Sequence, residues 1–527
     1  MDEKSKIAKA AGKISVATFI SRILGYIKDM ILAFYFGATG LSDTFFAAFR
    51  IPNLLRELFA EGAMSAAFIP VLTEQRQKHG EEEAKRLVKI TFTFILLAAG
   101  IVCLAGIFFA PGIVAVIVPG FLAKSPEQFA MTVLLTRIMF PFLLFISLAA
   151  LVMGALNTKK VFFVPALAPA MLNVTIIVTV TFFAQVFERP IIAVALGVTI
   201  GGFMQFAFQL PTFFKNNYRL GIDPGFRHPG LRRMAVLLIP ATLALAVNQV
   251  YIVVSTVLAS FLPEGSITYL YYSMRLIQFP IGIFGVAMGM AVLPTLSRHA
   301  VKRDFVSLRE DFSFSLRLLF FITVPAMAGL IALRGPIVNL LFQRGTFDYA
   351  ATKATADALL YYSIGIWSTV GIKIVTVTFY SMQDTKTPVK IAALGVVFNL
   401  LLSLALMGPL KHSGIALAYS VAAGLNFTLL FYFLRKKLQR IDSRKIIKSF
   451  IKVLLASILM GITGGAVLSG DMWTRSGDNT EKALYLAGTM AGCAAIYFLA
   501  GFLMKNEEMK YMFEMYRKKF RKKGAET

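Results

Sequence analysis

The chain has 527 residues, of which 57% are hydrophobic and 16% are charged, and its net charge is +26. Soluble proteins carry about a quarter charged residues, so this composition excludes a water-soluble globular protein. It also argues against nucleic-acid binding, because the basic residues lie mostly in short joins between apolar stretches and not on one polar face or arm.

Apolar stretches of about 20 residues, the length that a helix needs to cross the hydrocarbon layer, recur along the whole chain. They predict an all-α integral membrane protein with about fourteen transmembrane helices. The predicted spans are 14–37, 44–72, 88–110, 128–156, 162–186, 190–213, 233–262, 268–297, 313–333, 354–381, 388–409, 412–434, 447–469 and 483–504. Residues 505–527 are predicted to form a basic amphipathic tail, which lies on an anionic leaflet or in solution.

The orientation follows from the distribution of Lys and Arg. The joins after the even-numbered spans are rich in these residues, for example at Arg76, Lys159, Arg232, Arg298 and Lys436. Basic joins of this kind remain in the cytoplasm. Both termini are therefore predicted to be cytoplasmic.

A weak internal duplication is present. The segment 50–72 resembles 275–296, and Asn157-Thr158-Lys159-Lys160 resembles Gln383-Asp384-Thr385-Lys386, at offsets of 225 and 226 residues. An offset that contains six spans preserves orientation, so the chain is predicted to hold two parallel six-helix lobes. The predicted domains are 1–223 and 224–440 for the two lobes, 441–504 for two further spans, and 505–527 for the tail.

Charged residues interrupt the first two spans. Each such charge costs about 2.5–3.5 kcal/mol at the bilayer centre, so it must face a wet cavity or a partner. The first span carries Arg22, Lys28 and Asp29; the second carries Arg50, Arg56, Glu57 and Glu61, with Asp43 at its mouth.

The second half repeats the arginine at Arg275 and adds Lys373 in the tenth span. Six intramembrane bases against four acids predict a positive cavity, which suits a polyanionic substrate because guanidinium groups grip phosphate oxygens in pairs. The alternative is that the charges pair with one another and only hold helices together. For Glu57 and Glu61, which lie close to Arg56 and Arg50, this alternative stays open. Arg137, Arg317 and Lys452 are interpreted as snorkelling from span ends.

Catalytic and metal-binding patterns are absent from the sequence. It contains no G-x-x-x-x-G-K-[ST] phosphate loop, no catalytic constellation and no metal-ligand spacing. The chain is therefore predicted not to be an enzyme and to need no cofactor. Energy for transport would come from the membrane potential or from a coupled ion that the sequence does not identify.

Four segments resemble the MurJ (MviN) lipid II flippase family of the multidrug/oligosaccharidyl-lipid/polysaccharide exporter superfamily. They are SRILGYIKDMILAFYFGATGLSDTFFAAFRIPNLLRELFAEGAMSAAFIPVLTE, ALNTKKVFFVPALAP, YYSMRLIQFPIGIFGVAMG and QDTKTPVKIA. The resemblance implies two six-helix lobes plus two helices that form a groove for a polyprenyl tail. It also implies a monomer in the bacterial inner membrane that moves undecaprenyl-diphosphate-linked disaccharide pentapeptide outward by alternating access.

The resemblance further implies that Arg22, Lys28, Arg56 and Arg275 bind the diphosphate in a cationic cavity. Asp29, Asp43, Arg50, Glu57, Glu61 and Lys373 are assigned to the cavity or its gates. Some relatives carry acids at the positions of Met274 and Gln278, so this chain lacks the acids that those relatives have on this helix. The alternatives are a flippase for another polyprenyl-linked glycan, a cation-coupled drug exporter and a non-transporting scaffold.

Overall fold

The computed structural model describes residues 3–57, 64–439, 441–512 and 514, which form helices joined by short turns, with no β-strand among them. Within these ranges, nothing is described for the side chains of residues 3–11, 13, 64–66, 239–241 and 243–248. The predicted all-α fold is confirmed. A helix suits a membrane because its backbone N–H and C=O groups bond within the same segment.

The first compact unit comprises Met1–Thr268. Its helices are α1 (Glu3–Phe36), α2 (Gly40–Leu55), α3 (Met64–Phe108), α4 (Ala110–Ile117), α5 (Pro119–Lys124), α6 (Pro126–Met139), α7 (Pro141–Thr158), α8 (Phe163–Phe183), α9 (Ile191–Ala207), α10 (Leu210–Lys215) and α11 (Pro229–Ala259). A single 3-10 turn, Ala184–Val186, extends α8.

The second compact unit comprises Tyr269–Thr527, and α12 begins just before this boundary. Its helices are α12 (Ser266–Pro280), α13 (Ala287–Val301), α14 (Phe305–Ala332), α15 (Arg334–Phe342), α16 (Tyr349–Ile364), α17 (Ile366–Ser381), α18 (Lys386–Leu438), α19 (Ser443–Val467) and α20 (Asn479–Leu503). The compact units divide after Thr268, whereas the predicted sequence repeats divide after residue 223. The lobe boundaries therefore stay a prediction.

Ten segments within the described ranges are long and apolar enough to cross a membrane. One of them, α18, is broken at Lys411, where φ is 51° and ψ is −133°, so it holds the two predicted spans 388–409 and 412–434. In α3, a break at Gly80 with φ 89° lies within the basic join between the predicted spans 44–72 and 88–110. The chain is a multi-pass membrane protein, and a total of about fourteen spans is consistent with these segments.

The join between α7 and α8 has the same shape as the join between α17 and α18. Lys160 and Gln383 both have positive φ, 61° and 59°. In each join, the N–H of the following residue donates to the carbonyl five residues back, at 3.1 and 3.0 Å. The same turn ends other helices, at Asn217, Arg303 and Lys505, so it does not test the predicted offset of 226.

Glycines bring neighbouring helices together in both units. A Cβ at Gly202 would lie 2.6 Å from the ring of Phe142, and one at Gly371 would lie 2.6 Å from the ring of Phe427. Small residues allow this close approach, which drives association where lipid tails supply no hydrophobic contrast. These contacts fix α9 against α7, and they fix α17, which carries Lys373, against α18.

Candidate functional site

The first helix presents the charges of the first predicted span. Lys28 Nζ lies 2.9 Å from Asp29 Oδ1, and both residues are buried. Arg22 is half-buried, and it has no ion pair or hydrogen bond with any residue that the structure describes. Next to it, the amide of Asn173 donates to the carbonyl of Ser21 at 3.2 Å, which ties α1 to α8. Among the described residues, no carboxylate neutralises the guanidinium of Arg22, and its helix is fixed to α8.

A hydrogen-bonded group surrounds Glu57 at the end of α2. Its Oε1 lies 3.6 Å from Arg56 Nη2 and accepts from Asn53 Nδ2 at 3.1 Å. Arg56 Nε donates to Asn53 Oδ1 at 3.1 Å, and Gln249 of α11 donates to Glu57 Oε2. The structure thus shows the pairing that the sequence left open for Glu57. Gln249, an uncharged residue, was missed because nothing in the sequence distinguishes it.

Two further residues of the second predicted span have different outcomes. Glu61 lies outside the described residues. Arg50 is half-buried and lines a pocket of about 400 Å³ whose other walls are apolar, including Leu54 and Val102. Arg50 also interacts with another residue, through a hydrogen bond, an ion pair, a ring contact or an electrostatic interaction. Its surroundings are therefore more apolar than those of Arg56, although both side chains belong to the same predicted span.

Asp43 caps the start of α12. Its Oδ2 accepts from the backbone N–H of Gly265 at 2.7 Å, and its Oδ1 accepts from the N–H and the hydroxyl of Thr268 at 2.9 and 2.7 Å. The carboxylate is 2% exposed. The first turn of a helix has unsatisfied N–H groups and a partial positive charge, so a carboxylate is favoured there. Asp43 therefore holds the first turn of α12 against the first turn of α2.

In the second unit, α12 leads through Pro280 into a π-helical turn, Ile281–Val286. Arg275, in the last turns of α12, is half-buried. It interacts with another residue and is therefore not without a partner. Lys373 of α17 is exposed, and a Cβ at Gly285 of the π turn would lie 3.9 Å from its Cγ. Lys373 makes no ion pair or hydrogen bond within the described ranges. π-helical turns are frequent at functional sites, and Lys373 lies beside this one.

The snorkelling interpretation is wrong for Arg317. Its guanidinium forms ion pairs with Glu508, which is 1% exposed, and with Glu507 at 2.9 Å. Lys452 Nζ donates to the carbonyl of Met504 at 2.8 Å, so it too binds protein. The sequence did not reveal these contacts because the predicted tail carries many charges and only packing selects one carboxylate for burial.

A groove of about 420 Å³ lies between the last two helices. Its lining is almost wholly apolar and includes Gly488 and Gly492 of α20. A Cβ at either glycine would meet no atom within 4 Å, so both glycines face open space. The resemblance predicts a groove for a polyprenyl tail at this position. That such a tail occupies the groove stays a prediction.

The fold matches those of solved membrane transporters. A multidrug MATE family transporter of the MOP superfamily, in an inward-facing conformation, superposes with a TM-score of 0.67 at 13% identity, over 82% of this chain and 98% of that one. A solved structure described as lipid II flippase MurJ, inward closed conformation, superposes with a TM-score of 0.76 at 27% identity, over 92% and 98%. The protein is therefore a multi-pass membrane protein whose fold is shared with solved transporter structures.

Sequence comparison then specifies the family. The family profile described as "Lipid II flippase MurJ" matches residues 32–475. The lipid II flippase MurJ of Burkholderia cenocepacia is 36% identical over 92% of this chain and 95% of its own length. The probable lipid II flippase MurJ of Vibrio cholerae is 34% identical over 96% and 97%. The chain belongs to the lipid II flippase MurJ family.

Proposed function

We propose that this chain is a lipid II flippase of the bacterial inner membrane. It moves undecaprenyl-diphosphate-linked disaccharide pentapeptide from the cytoplasmic to the outer leaflet. The family match over residues 32–475, together with relatives aligned over nearly their whole length, is the observation that carries this proposal. The chain translocates this lipid without changing it chemically, acts as a monomer and keeps both termini in the cytoplasm.

The diphosphate binds to Arg22, Lys28 and Arg56 of the first unit and to Arg275 of the second. The lack of an ion pair between Arg22 and any described residue supports this assignment, since a half-buried charge in a membrane span is stabilised by a counter-ion and a phosphate oxygen supplies one. Lys28 already contacts Asp29, so this carboxylate compensates its charge and Lys28 contributes N–H donors to the diphosphate. Lys373 supplies a further cation on the substrate path.

Alternating access moves the lobes 1–223 and 224–440 about the bound head group. The Asp43 cap on α12 supports a gate at that end of α2, because a fully hydrogen-bonded buried carboxylate stabilises one arrangement of two helices. The polyprenyl chain lies in the groove between α19 and α20. A hydrocarbon chain gains about 0.8 kcal/mol for each buried CH₂ group, so even a short contact steadies the lipid.

Leaflet-resolved labelling of lipid II in cells depleted of their own lipid II flippase tests the proposal. Expression of this chain should restore outer-leaflet lipid II and growth. A matched strain that expresses the Arg22→Ala variant should show neither. If outer-leaflet lipid II stays at the depleted level while the protein is present in the membrane, the proposal is wrong. Restoration of another polyprenyl-linked glycan alone would assign the chain to the alternative substrate.

A further inference from the structure

The two helices that form the groove are joined to the rest of the second unit at both ends and at the middle. In the middle, Tyr497 of α20 donates its hydroxyl proton to the carbonyl of Phe321 of α14 at 2.7 Å. On α19, a Cβ at Gly461 would lie 3.6 Å from the carbonyl oxygen of Ala328 of α14. Both walls of the groove therefore rest directly on α14.

One end of the groove is fixed by the loop between α19 and α20. Tyr485 donates its hydroxyl proton to the carbonyl of Val467 at 2.9 Å, so the two walls bond to each other there. The loop buries Trp473 in a small apolar cluster. The side-chain amide of Asn339 in α15 donates to the Trp473 carbonyl at 2.8 Å, and Gln343 donates to the Thr474 carbonyl at 2.8 Å. This loop is thus bonded to α15.

The opposite end is fixed by the segment 504–512, which follows α20 and is named here the C-terminal strap. Lys452 of α19 donates to the Met504 carbonyl at 2.8 Å. Glu508 of the strap accepts from the hydroxyl of Ser449 of α19 at 3.0 Å and pairs with Arg317 of α14. The strap thereby links α14 and α19 to the end of α20 through one buried carboxylate.

The burial of Glu508 makes this contact strong. The side chain of Glu508 is 1% exposed, and that of Arg317 is 12% exposed. Removing one member of a buried ion pair leaves an uncompensated charge, which is strongly destabilising. Its neighbour Glu507 contacts the same arginine, but it is 74% exposed, so its contact is a surface ion pair of small energy. Substitutions of the two adjacent glutamates can therefore serve as a test variant at Glu508 and a matched control at Glu507.

We propose that α19, α20 and the C-terminal strap form one rigid block with α14 and α15, so that the groove keeps its width throughout transport. Glu508 and Arg317 are positioning residues for this groove. The inference rests on the proposed function, since it assumes that the groove carries the hydrocarbon chain of the substrate. A groove of fixed width holds the chain without the cost of ordering its walls at each cycle.

Reversible cross-linking of the strap tests whether transport needs it closed. In a Ser449→Cys/Glu508→Cys variant, the ion pair between Glu508 and Arg317 is lost. Outer-leaflet lipid II should then fall about tenfold, because the strap no longer holds the walls of the groove in position. A short bis-methanethiosulfonate cross-linker should restore the signal, and dithiothreitol should remove it again. The protein with only its two native cysteines, both buried, is the control. Activity that is lost on cross-linking and regained on reduction would show that the strap opens, and would overturn the inference.

Distance measurement tests the block without any dependence on lipid II. Spin labels at Ile451→Cys on α19 and Phe502→Cys on α20, both exposed positions, should give one narrow distance in lipid nanodiscs. Glu508→Ala should broaden this distribution, and Glu507→Ala should leave it narrow. Two populations in the otherwise unsubstituted protein would overturn the block. Absence of lipid II movement in every variant would refute the proposed function, while the distances would still decide the block.

Discussion

Asp43 and Thr268 are bonded twice, through the backbone N–H of Thr268 at 2.9 Å and through its hydroxyl at 2.7 Å, both to the same carboxylate oxygen. They are separated by 225 residues in the chain. The second carboxylate oxygen accepts from Gly265 at 2.7 Å. A buried carboxylate with three donors holds two helix ends in one arrangement, and it releases them only if all three bonds are broken or replaced by bonds to water.

Asp43→Asn should lower the free energy of unfolding by about 2 kcal/mol, because a charged acceptor becomes a neutral amide whose NH₂ group faces the N–H of Gly265. The loss should appear as a lower Tm of the purified protein, with a parallel fall in outer-leaflet lipid II. Thr268→Val removes only the hydroxyl, so its effect on Tm should be about half as large. Equal Tm values for Asp43→Asn and the wild type would contradict this role.

Arg22→Ala, Arg56→Ala and Arg275→Ala should each fail to rescue growth in the depleted strain while reaching the membrane at the normal level. The reason is that each guanidinium is expected to contact the diphosphate. Arg22→Ala should also leave Tm nearly unchanged, since Arg22 has no ion pair within the described ranges. Arg189→Ala, which changes a half-exposed arginine, is the control. Full rescue by all three variants would eliminate the diphosphate site.

Lys28→Arg should be nearly silent in the same growth assay. Arginine keeps the positive charge beside Asp29, which is fully buried and lies 2.9 Å from Lys28 Nζ. Lys28→Met keeps much of the length but removes the charge, so it should destabilise the protein by about 3–5 kcal/mol. A severe defect in Lys28→Arg, with normal membrane levels, would show that the shape of this side chain matters beyond its charge.

The fold was largely predictable because each span is determined by its own stretch of apolar residues. An apolar run of sufficient length predicts a helix wherever it occurs, and ten of the described segments meet that criterion. The repeat offset stays a prediction, because the positive-φ turn at Gln383 also occurs where several other helices end. The break at Lys411 was predictable only as a short polar gap, since a positive φ leaves little trace in the sequence.

The candidate site was predictable only in part. Arg22 and Lys28 stand out because a charge in an apolar run is conspicuous. The residues that surround them are distant in the sequence, so their environments could not be predicted. Glu57 is a further example, because its amide partner Gln249 lies 192 residues away. The environment of Glu508 could not be predicted either, because its sequence neighbours do not distinguish this buried carboxylate from the other charged residues of the tail.

The join before α18 provides a pH-dependent contribution to stability. Burial alone would raise the pKa of Asp384, but hydrogen bonds from Lys437 and Thr387 outweigh it and hold the pKa below its ordinary value of 3.8. A carboxylate with a lowered pKa stabilises the fold above the ordinary value, and this contribution is lost as the pH falls through the lowered pKa. The Tm difference between the wild type and Asp384→Asn should therefore be largest near neutral pH and shrink below pH 3.8. A difference that grows on acidification would contradict this sign.

Filling the groove tests its role in binding a hydrocarbon chain. Gly488→Leu and Gly492→Leu place a side chain into open space, so they should not strain the helix packing. If the groove holds the polyprenyl tail, each should reduce outer-leaflet lipid II by about tenfold, because excluding about two CH₂ groups of the tail, at about 0.8 kcal/mol each, is sufficient for that factor. Their Tm should stay near that of the wild type.

Gly100→Leu is the matched control for these two variants, because Gly100 lies in α3 of the first unit and a Cβ there also meets no atom within 4 Å. All three changes remove a helix glycine and add the same side chain, so their effects on helix propensity should be alike. Only the two groove variants should affect transport. If Gly100→Leu reduced outer-leaflet lipid II as strongly as Gly488→Leu, the loss would arise from the helix substitution itself. The groove would then have no demonstrated part in binding the lipid chain.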